Sequence, residues 1–118
     1  MRNIQNILIG GLLTTFFLFS CEKKPASNAS TSFKVYGNCE MCKKTIETSL
    51  EVEGVASAAW DQNTKMISVA YDSTILNEEK LHKLIAGSGY DTEKETASTD
   101  TYNNLPECCQ YKRKQEMN

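Results

Sequence analysis

Across residues 33–96 the apolar positions switch repeatedly between a two-residue and a helical period. Phe33-Lys34-Val35-Tyr36 alternates apolar and polar, as a half-buried strand does. Gly37-Asn38 breaks that pattern. From Met41 to Val52 the residues Cys42, Ile46 and Leu50 fall four apart, which predicts a helix presenting one narrow stripe, ended by Gly54. Val55–Trp60 reads as a strand, and Asp61-Gln62-Asn63-Thr64 as a polar turn. Lys65–Tyr71 then alternates again, with Met66, Ser68 and Ala70 on one side and Ile67, Val69 and Tyr71 on the other. Asn77 is placed to cap a second helix whose first turn carries Glu78 and Glu79. Leu81, Leu84 and Ile85 form its inward face, which leaves His82 on the solvent side. Gly87-Ser88-Gly89 stops the helix, and Tyr90–Thr96 is a weaker last strand. Strand, helix, strand, strand, helix, strand predicts an α+β, ferredoxin-like βαββαβ sandwich. Its antiparallel sheet would have four strands, with both helices on one face.

The flanks follow other rules. Arg2 precedes the apolar run Ile7–Phe19, which has the length of a signal-peptide core and is short for a membrane span. The boundary Leu18-Phe19-Ser20-Cys21 resembles a bacterial lipobox, with a Phe bulkier than usual at 19. The resemblance implies a lipoprotein signal peptide over 1–20, cleavage before Cys21 and lipidation of that cysteine. The mature protein would then be an extracytoplasmic, membrane-anchored lipoprotein of the periplasm or cell surface. Residues 21–32, with Pro, Asn, Ala, Ser and Thr and no apolar periodicity, read as a flexible tether. Residues 97–118 read as a polar tail whose Lys112-Arg113-Lys114 is a solvated end.

Charge and composition narrow the chemistry. The 118 residues hold 13 basic and 15 acidic side chains, without the basic excess that nucleic-acid binding requires. The single histidine, His82, excludes a multi-histidine zinc site. Five cysteines remain, and reactivity must come from sulfur.

Cys39-Glu40-Met41-Cys42 falls where the first strand gives way to the first helix. A helix N-terminus favours the thiolate, and Lys43 and Lys44 add positive potential. Two thiolates with few other donors suit soft ions of low coordination number, Cu(I) or Hg(II). The second sulfur cluster, Cys108-Cys109, sits between Leu105 and Tyr111. If those two apolar residues dock the tail over the loop, one of its thiols joins Cys39 and Cys42 and shifts the preference toward Zn(II)-like coordination. Neighbouring residues usually point apart, so one tail thiol is expected to serve rather than both. Met41, between the loop cysteines, is an additional candidate as a thioether.

The run Gly37-Asn38-Cys39-Glu40-Met41-Cys42-Lys43-Lys44-Thr45-Ile46-Glu47, with Gly54-Val55 and Gly89-Tyr90-Asp91, resembles the heavy-metal-associated domain family. That family comprises copper chaperones, periplasmic mercury-binding proteins and the amino-terminal modules of metal ATPases. The resemblance spans Phe33–Glu95 and implies that Cys39 and Cys42 are metal ligands, with Tyr90 near the metal loop. Gly37 departs from the pattern, because the family usually carries Met two residues before the first cysteine. The expected protein is not an enzyme. It binds a soft ion, Cu(I) before Hg(II) or Zn(II), and sequesters it or exchanges it with a metal-transporting ATPase or another metal-handling protein. A thiol-disulfide oxidoreductase using Cys39 and Cys42 is the alternative.

Overall fold

The computed structural model describes residues 27–117. The signal segment and Cys21 lie outside the described residues. Strand β1 (Ala29–Lys34) leads into helix α1 (Glu40–Ser49), then β2 (Val55–Trp60), β3 (Met66–Tyr71), helix α2 (Glu78–Gly87) and a short α3 (Thr99–Asn103). Single 3₁₀ turns follow at Glu107–Cys109 and Lys114–Glu116. The sheet is antiparallel in the order β1-β3-β2.

Alternation along β3 decides the layering. Ile67, Val69 and Tyr71 are buried, whereas Met66 and Ser68 face solvent. The inner face packs on Cys42, Ile46 and Leu50 of the α1 stripe and its C-cap, and on Leu81 and Ile85 of α2. Asn77 caps α2 as its sequence predicts, accepting a 2.8 Å hydrogen bond from the Lys80 amide.

Four expectations need correction. β1 starts inside the segment read as tether, because Ala29–Ser32 pair with Ser68–Tyr71. Small Ala, Ser and Thr side chains give no apolar alternation there, so the pairing is backbone-driven. The fourth strand is absent among the described residues. Its place holds one bridge, Val35 to Thr92, flanked by hydrogen bonds Tyr36 N–H to Asp91 O and Glu93 N–H to Lys34 O. The chain cannot continue along β1, because the Thr92 hydroxyl accepts from the Glu95 amide while the Thr92 amide bonds Glu95 O. That turn sends the backbone toward α3.

His82 is the third correction: it is fully buried. The inward face of α2 is Leu81, His82, Ile85 and Ala86, with Leu84 only half-buried. Phe33 stacks on the imidazole with centroids 3.8 Å apart, and Nδ1 pairs with the Thr92 hydroxyl. Burial pulls its pKa below the ordinary histidine value, against the opposing influence of Glu78 at 3.5 Å. The unfolded chain therefore binds more protons below about pH 6.5. The stability due to neutral His82 is complete above that pH and is lost as pH falls toward the folded-state pKa. His82→Leu should flatten the fall in apo-protein melting temperature between pH 7 and pH 5. An unchanged slope would mean that the imidazole is not what titrates.

Arg113 is the fourth. It is 4% exposed rather than solvated, and its guanidinium forms a two-armed pair with Asp91, at 2.8 and 3.1 Å. The tail is thereby part of the domain. Tyr111 stacks on Tyr90 at 5.3 Å, donates to Gly89 O and accepts from the Asp91 amide. Tyr102 meets Tyr111 edge-on at 5.1 Å and lies under the Arg113 guanidinium. Gly89 is needed at this junction. Its φ is +107°, and a Cβ there would lie 2.9 Å from the Thr101 carbonyl oxygen.

Candidate metal centre

Cys39 is the N-cap of α1 with extended backbone, and Cys42 lies one turn on, so both sulfurs emerge at the helix N-terminus. Their Sγ atoms are 3.5 Å apart. The 3₁₀ turn Glu107–Cys109 lies against this loop, and the sulfurs of Cys39, Cys42 and Cys109 all lie within 4.8 Å of one another. Two sulfurs at about 2.3 Å from one ion are separated by about 3.8 Å in tetrahedral, 4.0 Å in trigonal and 4.6 Å in linear geometry. The Cys39–Cys42 spacing lies just below that range, and no pair in the cluster is more than 4.8 Å apart. Cys42 and Cys109 are buried and Cys39 is half-buried, so an ion among them would be approached past Cys39.

The electrostatics of the three thiols differ. The Cys42 backbone amide holds the Cys39 thiol below its ordinary value, the helix-start effect expected from sequence. Burial pushes the Cys109 thiol up to about 12, so it stays protonated unless a cation displaces the proton. Cys42 donates to Asn38 Oδ1 at 2.9 Å, which orients its sulfur. Lys43, expected to act on the thiolates, is instead tied to Glu47 and the Trp60 carbonyl, each at 2.8 Å.

Tyr90 packs in the core beside Cys42 and Cys109. It is fully buried, its hydroxyl has no hydrogen-bond partner, and Cys42 and Cys109 both influence its ionisation, burial being the first cause of its raised pKa. An orphaned donor costs free energy unless it finds an acceptor, and metal-bound thiolates are acceptors where thiols are poor ones. The site thus fits a cation better than it fits its own apo state.

Trp60 explains the departure at Gly37. Its indole fills the space under the loop, such that a Cβ on Gly37 would meet the ring at 3.1 Å and Cys42 Cβ at 3.2 Å. The indole N–H is shared between Val35 O and Lys65 O. A bulky residue at 37 and Trp60 are alternative ways of filling one volume.

The family model described as heavy-metal-associated domain matches residues 34–91. Residues 34–91 belong to the heavy-metal-associated domain family. A solved structure titled CopZ metallochaperone shares 29% identity at a TM-score of 0.52, the match covering 54% of this chain and 98% of that one. The amino-terminal domain of a potential copper-translocating P-type ATPase from Bacillus subtilis, solved in its Cu(I)-loaded state, shares 26% identity at a TM-score of 0.51. That match covers 53% of this chain and 81% of the ATPase domain. No curated protein matches the chain.

The heavy-metal-associated match ends at residue 91, so Cys109 reaches the loop from outside it. Cys108 and Met41, the remaining sulfur candidates, are exposed at the rim. Sequence reading missed Asp91 and Arg113, the pair that docks the tail. Their signal was weak, because an Arg inside Lys-Arg-Lys looks like any solvated terminus.

Proposed function

We propose that this chain is a lipid-anchored, extracytoplasmic protein that holds Cu(I) between Cys39 and Cys42 with Cys109 as third sulfur. It catalyses no reaction. It sequesters the ion or passes it through mixed Cys–metal–Cys intermediates to a metal-transporting ATPase or another metal-handling protein. The observation that carries the reading is the cluster of three sulfurs within 4.8 Å at the start of α1. Thiol-disulfide exchange needs two sulfurs and leaves the buried third without a task. Three sulfurs fall one short of the four-ligand tetrahedral set of a structural Zn(II) site, so the docked tail thiol does not by itself complete the Zn(II)-like coordination expected of it, and the similar ATPase domain solved in its Cu(I)-loaded state favours Cu(I).

Elemental analysis of anaerobically purified protein tests the ion. Copper bound to three sulfurs by X-ray absorption is expected; zinc or mercury in its place refutes the Cu(I) assignment. The anchor rests on the lipobox-like boundary at Cys21. Cys21→Ala should abolish incorporation of labelled fatty acid and leave an unprocessed precursor, and a labelled variant would refute the anchor.

A further inference from the structure

Sulfur does not stop at the three-cysteine cluster. Cys108 Sγ lies 3.7 Å from Cys109 Sγ and 3.7 Å from Met41 Sδ. Adjacent cysteines are expected to diverge, but the tight 3₁₀ turn Glu107–Cys109 turns both toward the loop. Five sulfurs therefore form a continuous path: Cys39, Cys42 and Cys109 inside, then Cys108 and Met41 at the rim. Met41 is 54% exposed although thioethers favour burial, and Cys108 is exposed beside it. Each 3.7 Å step is close to the separation, about 3.8–4.0 Å, of two sulfurs sharing one ion.

We propose a second, outer soft-metal position formed by Cys108, Met41 and Cys109, in which the Cys109 thiolate bridges the outer ion to the inner one. The proposal rests on the inner-site reading above. The thioether adds a soft donor without charge, and both rim ligands are open to solvent. The outer ion is therefore the exchangeable one. It meets an incoming thiol donor or acceptor on two open ligands, whereas the inner ion is reached only past half-buried Cys39.

Anaerobic titration with Cu(I) of the full chain carrying Cys21→Ala, which removes the one other thiol, tests this. Two equivalents per chain are expected. A moderate chelator should remove one of them, and the remaining ion should resist. Met41→Leu with Cys108→Ser should bind one equivalent that resists the chelator as the parent's inner ion does. One equivalent in both proteins, or two in both, overturns the outer position and leaves the inner site standing. No copper in either protein overturns the metal-binding reading itself.

Discussion

Replacing both Cys39 and Cys42 with Ser should abolish tight Cu(I) binding while the domain remains folded. Hydroxyls are hard donors that do not ionise at neutral pH, so the variant loses two of the three inner ligands outright. Loss of a mere outer-shell partner lowers metal affinity by about 10–100-fold, and removing the ligands themselves must exceed that. The fold should survive because Ser at 42 can still donate to Asn38 Oδ1, which Cys42 does at 2.9 Å. Competition against a high-affinity Cu(I) chelator, with circular dichroism as the folding control, measures both. Cys109→Ser alone should weaken binding yet keep it, because the loop pair is intact. Full-strength copper retention by a folded Cys39→Ser/Cys42→Ser protein would place the inner site elsewhere.

Arg113→Ala should be the most destabilising substitution in the tail. It leaves the Asp91 carboxylate, fully buried, without its counter-charge. Burial alone drives that carboxyl upward, and Arg113 with the Ala97 amide holds it below its ordinary value. Breaking such a pair by removing one partner costs about 3–5 kcal/mol, a large share of the stability of a small domain. Urea unfolding of the apo protein reads it directly. Arg113→Met combined with Asp91→Asn should cost less than Arg113→Ala, because no charge is stranded. A loss under about 1 kcal/mol for Arg113→Ala would mean that the pair is open to water. Because Arg113 and Tyr111 hold the tail that carries Cys109, the same substitution should lower Cu(I) affinity toward that of Cys109→Ser.

The sequence alone determined the order of the first five elements, the Asn77 cap and the position of the Cys-x-x-Cys loop at the start of α1. These are local matters of side-chain period, capping chemistry and adjacency along the chain, which a linear reading sees. It also showed that Leu105 and Tyr111 were out of place in a solvated tail. Tertiary structure decided the rest. Whether His82 faces water depends on Phe33 and Thr92, residues from two other segments that close over one side of α2. Whether Tyr90–Thr96 pairs as a strand depends on the competing pull of the Asp91–Arg113 pair and the Thr92 turn. Cys108 and Cys109 are neighbours with the same chemistry, and only docking of the tail separates them. One is buried against Cys39 and Cys42 and the other is left at the rim beside Met41. Charge and polarity along a chain report what a residue prefers when alone. Burial of Arg113 against Asp91 reverses that preference through a partner 22 positions away, a distance no periodicity records.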